Sequence, residues 1–284
     1  MLAFPASPTV GQQFQTWTWD GVKWTPTPTL TMPDCGYLRI VGSSPASSII
    51  FVPFNGDLIR INGINYHIPA AGITVTYNNA FVNGVAGQTL TNGTTYSVYA
   101  FIHPTLGMQL DFGAVGQHSP STAAGNVGTE IKNGDNSRSL VGNAYFSVPA
   151  SAFYDQPDNR LTRSWFNRRP APYHVGGGMT VNQAAWVLYL NGSVVSFQNE
   201  SVTMTGQWYG TGDTQNNMSL SVGLSGSIVG YAAACSTLHT TGAYENVTAL
   251  WTAQLNEGLN SIQLYGHMGA GSAGGNGGLS GMVG

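Results

Sequence analysis

The sequence predicts an all-β fold: two β-sandwich or jelly-roll domains behind an extended, proline- and tryptophan-rich N-terminal arm. Three observations carry this. Asn-Gly dipeptides punctuate the chain at Asn55-Gly56, Asn62-Gly63, Asn83-Gly84, Asn92-Gly93, Asn133-Gly134 and Asn191-Gly192. Asn-Gly supplies the positive φ angles of two-residue hairpin turns. Short runs of β-branched and aromatic residues lie between them, and several alternate apolar with polar, as half-buried strands do. No stretch of a dozen residues has helical periodicity with capping residues at its ends.

The arm comprises residues 1–35. It holds Pro5, Pro8, Pro26, Pro28 and Pro33 beside Trp17, Trp19 and Trp24. Proline fixes φ and removes a donor, so this density favours extended chain. Indoles so closely spaced are costly to leave in water, so the arm is expected to lie against its own domain or a partner. The first β domain is expected over 36–169, with strands such as 48–52, 72–77 and 95–102. The run Arg169-Pro-Ala-Pro-Tyr-His-Val-Gly-Gly-Gly178 reads as a boundary, with a linker over 170–178. The second β domain follows over 179–284, with strands near 185–190, 219–224 and 260–265. Leu220, Val222 and Leu224 fall on one face there and Ser219, Ser221 and Gly223 on the other. From Gly269 to Gly284 the chain is so rich in glycine that it reads either as a flexible tail or as a final hairpin closing on Leu279 and Val283.

Charged residues make up 7% of the chain, against roughly 25% in ordinary soluble proteins. With 42% hydrophobic and 11% aromatic residues, a packed core is expected and disorder is not. The surface must be Thr, Ser, Asn, Gln and Gly, which suits subunits covered by copies of themselves. A net charge of −3 gives no pull toward nucleic acid or an anionic membrane. All nine basic residues stand at or before Arg169, and only Glu200, Asp213, Glu245 and Glu257 are charged beyond it. Two electrostatically different halves argue for two domains. The N-terminus lacks the features of a signal peptide, and no apolar run is long enough for a membrane-spanning helix. Cys35 and Cys235 are expected as buried thiols, with a disulfide between them as the alternative.

Chemistry is sparse. None of the six histidines, His67, His103, His118, His174, His239 and His267, stands at metal-ligand spacing, and no cofactor motif occurs. Asp111, Glu130, Asp155 and Asp158 could supply a glycosidase pair, which needs two carboxylates facing a sugar, but they stand in turn and strand-end contexts that fit structural roles. No catalytic site is expected. The segment Arg160-Leu-Thr-Arg-Ser-Trp-Phe-Asn-Arg-Arg169 gathers four of the nine bases around Trp165 and Phe166. Arg160, Arg163 and Arg168 are expected to pair with Asp155 and Asp158 or with a neighbouring subunit, because the planar fork of Arg makes directional bonds. Trp208 and Tyr209, in Gly206-Gln-Trp-Tyr-Gly-Thr-Gly212, read either as core packing or as a glycine-flanked loop able to stack on a glycan.

Pro8-Thr-Val-Gly11 followed by Trp17-Thr-Trp-Asp-Gly-Val-Lys-Trp24 resembles the N-terminal segment of many tailed-bacteriophage appendage proteins. Asn92-Gly-Thr-Thr-Tyr-Ser-Val-Tyr-Ala-Phe101, Gly128-Thr-Glu-Ile-Lys132 and Arg160-Leu-Thr-Arg-Ser-Trp-Phe-Asn-Arg168 are similar to domains of such virion proteins. Leu255-Asn-Glu-Gly-Leu-Asn-Ser-Ile-Gln-Leu264 resembles the last strands of C1q/TNF-like jelly-roll heads. The resemblance implies a virion protein made in the bacterial cytoplasm: a homotrimeric tail fibre or spike subunit that attaches to the host surface. Its arm, through Trp17, Trp19 and Trp24, would dock on other virion proteins, and host polysaccharide or a receptor would be its outer partner. A capsid decoration or head-fibre protein is the alternative, and a polysaccharide-degrading tail enzyme a third reading.

Overall fold

The structure, a computed structural model, describes residues 7–9, 13–14, 17–19, 21–26, 35–147, 151–156, 159–168, 170–212, 218–229, 234–235, 244–269 and 272–284. They fall into two compact units, Met1–Pro33 and Asp34–Gly284. All regular structure among the described residues is β.

The small unit is a meander of Gln13–Phe14, Trp17–Trp19 and Trp24–Pro26. The described residues of the arm are thus extended chain, paired strand to strand. Trp19 pairs directly with Trp24, with ring centroids 5.7 Å apart. Cross-strand aromatic pairs of this kind hold a short hairpin together. Asp20 lies outside the described residues.

In the large unit, the first sandwich has one broad sheet. Its order is Val85–Gln88, Ala80–Val82, Gly107–Ala114, Thr94–His103, Asp135–Ser147, Glu130–Lys132 and His118–Pro120, with Ala152–Phe153 and Thr162–Ser164 also on Asp135–Ser147. A sheet of Tyr37–Ile40, Ser48–Val52 and Ile73–Thr76 and the hairpin Leu58–Ile61/Ile64–His67 complete it. Two Asn-Gly turns form as expected: Asn62 and Gly63 have φ of 51° and 79°, and Asn83 and Gly84 have 50° and 81°. Ile73 and Val75 point inward while Thr74 and Thr76 face solvent. Leu38, Ile49, Phe51, Ile59, Val98, Leu110 and Phe112 are wholly buried in the core.

The second sandwich has one sheet in the order Ala171–Val181, Ala273–Val283, Ser201–Gly212, Tyr244–Gln254. The facing sheet runs Val187–Ser196, Gly258–Met268, Met218–Leu224, Ser227–Ile228. The last long strand returns to lie between the first and the third, and the next to last lies beside the second. That is Greek-key, jelly-roll connectivity. Trp208, Met204, Leu220, Ile262, Leu264 and Leu279 fill the core.

Three sequence expectations are corrected here. Residues 170–178 are no linker, because Ala171–Val181 pairs with Ala273–Val283 along its whole length. The glycines of 176–178 supply main-chain bonds without side-chain bulk, which a reading of composition mistakes for flexibility. Asn191-Gly192 is no turn: Asn191 pairs with Gln263 and Gly192 with Ile262 inside a strand. A Cβ on Gly192 would stand 3.0 Å from Val175 Cγ2, so close packing explains this glycine. The C-terminal glycine run is neither tail nor hairpin but an inner strand, with Leu279 and Val283 both fully buried.

Candidate functional site: the seam and the outer sheet

Among the described residues, three groups of charged side chains are built around buried members. Asp111 is wholly buried. It accepts bonds from the Gly84 N–H (2.8 Å), Arg138 Nε (2.7 Å) and Lys132 Nζ (3.3 Å). Arg138 also bonds Asp135 at 2.6 Å. The other two groups tie the sandwiches to each other. Arg163 forms a two-pronged ion pair with Glu200, and both residues are buried. Glu200 accepts the Phe197 N–H as well, at 2.9 Å. A buried pair is tolerated when its remaining bonding positions are filled in this way.

His118 lies between two carboxylates, with Nδ1 2.5 Å from Glu130 and Nε2 2.7 Å from Glu257. Its side chain is almost completely enclosed. Burial alone would lower its pKa, but the two carboxylate bonds overcome that and raise it to about 9. Both ring nitrogens therefore donate. Burial would raise Glu257, yet the bonds from His118 and Asn143 hold it below the usual carboxylate range. Trp165 packs edge-on against Phe197 (5.1 Å) and His118 (5.4 Å), and Arg168 lies 3.5 Å from the Trp165 ring centroid.

The basic-aromatic segment therefore lies at a seam within one chain. Arg160 bonds Asp155 at 2.9 Å, as expected. Arg163, Trp165 and Arg168 meet residues of the second sandwich, and Phe166 packs on Phe51 of the first. Of Arg160, Arg163, Trp165, Phe166 and Arg168, expected at an interface, Arg163, Trp165 and Arg168 thus serve a seam inside one chain, while Arg160 and Phe166 pack within the first sandwich. The sequence shows that bases and aromatics cluster, but not that the second half of the chain supplies the acids. Asp158 and Arg169 lie outside the described residues.

The three described candidate carboxylates each serve a different partner. Asp111 sits among cations, Asp155 on Arg160 and Glu130 on His118. Trp208 is corrected as well. It stands mid-strand, wholly buried, and only Tyr209 is exposed, at 53%. Alternation along the strand sends the two neighbours to opposite faces, so they cannot form one glycan platform. Trp17, Trp19 and Trp24 are each half-buried in the small unit. Cys35 is a buried free thiol, and the Cys235 side chain lies outside the described residues.

The register defines a further surface, the outer face of the sheet containing Ser201–Gly212. Its rows read Pro172, Met282, Thr203, Thr252; then His174, Ser280, Thr205, Leu250; then Gly176, Gly278, Gln207, Thr248; then Gly178, Asn276, Tyr209, Asn246. No Lys, Arg, Asp or Glu stands in these rows, while Leu250 (68%), Tyr209 and Met282 (48%) are exposed. The glycines on the two faces of this sheet differ. A Cβ at inward Gly281, Gly206 or Gly275 would collide with the Thr203 carbonyl, Leu264 or the Tyr209 carbonyl. A Cβ at outward Gly178 or Gly278 would meet nothing within 4 Å.

No family model matches the chain, and no curated protein matches it. Among solved structures, it is similar to the VP2 subviral particle of infectious bursal disease virus, at 12% identity, covering 87% of this chain and 70% of that one with a TM-score of 0.33. The Gx strain of the same virus gives 11% identity, 89% and 68% coverage and a TM-score of 0.29. The insecticidal delta-endotoxin Cry8Ea1 of Bacillus thuringiensis gives 7%, 86%, 51% and 0.28. Scores this low carry nothing about function.

Proposed function

We propose that this protein is a non-enzymatic structural subunit of a tailed phage particle, a homotrimeric tail fibre or spike protein that attaches the particle to its host. One observation carries the reading: an outer sheet face without charge, holding glycines that the chain's own packing does not require. Glycine inside a strand weakens it unless another backbone approaches closely. A second copy of the chain on this face would supply that approach, and would also cover Leu250, Met282 and the strand Tyr244–Gln254, which ends its sheet among the described residues. The jelly-roll strand order of the second sandwich suits a subunit of this kind. In the particle, the tryptophan hairpin of the small unit would be the docking element, and many copies would make weak host contacts effective.

Light scattering on the purified full chain should give a trimeric mass, and Gly278→Lys should give a folded monomer. A wild-type monomer at tens of micromolar, or an unchanged mass for Gly278→Lys, would overturn the reading. Gold-labelled antibody on intact particles should mark tail tips; labelled heads would replace the tail fibre with a capsid decoration or head-fibre role. Reducing ends released from host polysaccharide by the purified protein would replace both with a tail enzyme.

A further inference from the structure

Glycine has no side chain, so in an Asn-Gly pair its amide nitrogen stands open to the carboxamide of the preceding asparagine. Two such pairs, Asn191-Gly192 and Asn276-Gly277, lie inside paired strands. The other five are Asn55-Gly56, Asn62-Gly63, Asn83-Gly84, Asn92-Gly93 and Asn133-Gly134, and all five of these asparagines are exposed. Exposure does not tell them apart, but the glycine N–H does. Gly63 N–H donates to Asn126 Oδ1 at 3.1 Å, Gly84 N–H to Asp111 Oδ1 at 2.8 Å and Gly93 N–H to the Phe146 carbonyl at 2.8 Å. Among the described residues, nothing accepts a bond from the Gly56 or Gly134 N–H. Both of these glycines are exposed, one between Ser48–Val52 and Leu58–Ile61, the other between Glu130–Lys132 and Asp135–Ser147.

We infer that Asn55 and Asn133 are sites of spontaneous deamidation in the folded chain, and that Asn62, Asn83 and Asn92 are protected from it. The glycine nitrogen loses its proton to solvent and attacks Cγ of the asparagine. The N–Cγ bond forms, the Cγ–Nδ2 bond breaks, and Nδ2 leaves as ammonia after taking a proton back from solvent. Water then opens the five-membered imide at either carbonyl, leaving aspartate or isoaspartate. Water is the only co-reactant. A glycine N–H held by an acceptor must first give up that bond, which slows the attack. Each conversion adds one negative charge to a chain whose net charge is −3, and isoaspartate lengthens the main chain of the reversal. The chemistry is independent of whether copies of the chain assemble.

Peptide mapping by mass spectrometry, with digestion at acid pH after the full chain has been held at pH 8.5, tests it. Asn55 and Asn133 should convert about fivefold faster, or more, than Asn62, Asn83 and Asn92, the factor that one hydrogen bond is worth. In a chain unfolded by guanidinium, which releases the three acceptors, the five should convert at similar rates. Asn126→Ala removes the acceptor of Gly63. With its fold confirmed by thermal unfolding, it should speed Asn62 about fivefold and leave Asn55 and Asn133 as they were. Equal rates at all five in the folded chain, no conversion at Asn55 and Asn133, or an unchanged Asn62 in folded Asn126→Ala would overturn the assignment. Conversion of only one of Asn55 and Asn133 would remove the other from it.

Discussion

The two sandwiches share a strand architecture but are stabilised differently. The first carries aromatic packing such as Phe112–Phe153 and Phe146–Phe153, and its own ion cluster at Asp111. The second contains no basic residue in the whole of its sequence. Of its four acids, Glu200 and Glu257 are both bonded to side chains of the first sandwich. The charge asymmetry along the chain is thus a complementarity: each end of the seam joins a base of the first half to an acid of the second. The second half answers its lack of charge with close backbone packing inward and a bare glycine surface outward.

Breaking the seam should have the largest effect. Arg163→Ala leaves Glu200 buried with its charge uncompensated, which costs about 3–5 kcal/mol. Denaturant unfolding should show that loss, while the double change Arg163→Met with Glu200→Leu should recover most of it. A loss below about 1 kcal/mol in the single variant would mean the pair is incidental to stability.

The second clasp should show itself through pH. His118 is raised from 6.5 to about 9 in the folded chain. Its contribution is therefore complete below pH 6.5 and is lost as pH rises toward 9. Glu257 is lowered from 4.5, so its contribution is complete above 4.5 and is lost as pH falls through the depressed value. Stability should peak between these limits and decline on the alkaline side by about 3 kcal/mol, because each tenfold difference in proton affinity between the folded and unfolded chain is worth about 1.36 kcal/mol. His118→Gln should flatten that alkaline decline. Melting curves from pH 6 to 9.5 that are parallel for wild type and variant would rule the clasp out.

Local features of the fold were legible wherever one residue type has one structural meaning. Asn62-Gly63 and Asn83-Gly84 turn as their positive φ requires, and Ile73 to Thr76 alternates as a half-buried strand should. Reading failed where glycine serves packing. Gly176 to Gly178, Gly192 and the run from Gly274 to Gly281 look like breaks but are strand. It failed at the seam for a different reason. Glu257 stands 139 residues from His118, and no spacing rule links residues joined only by the docking of two sandwiches. The cluster from Arg160 to Arg168 did signal an interface, though not which two surfaces meet there. Trp208 and Tyr209 misled because adjacent strand residues face opposite ways, so one is core and one surface.

The smallest effects are the most discriminating, because the two faces of the C-terminal strand predict opposite signs. Gly281→Ala drives a methyl into the Thr203 carbonyl and the Tyr173 ring. It should destabilise the chain by about 1–3 kcal/mol, the usual range for overpacking a core. Gly278→Ala meets nothing within 4 Å and restricts the unfolded chain, so the dissociated subunit should gain about 0.5–1 kcal/mol. If the outer face is covered by a second copy, the same methyl must stand between two backbones and the assembled form must weaken. Denaturant midpoints measured in dilute protein and at high concentration separate the two contributions. A stabilised monomer with a weakened oligomer is the expected pair. Stabilisation of equal size at every concentration would mean that nothing approaches Gly278 and that the bare sheet faces only water.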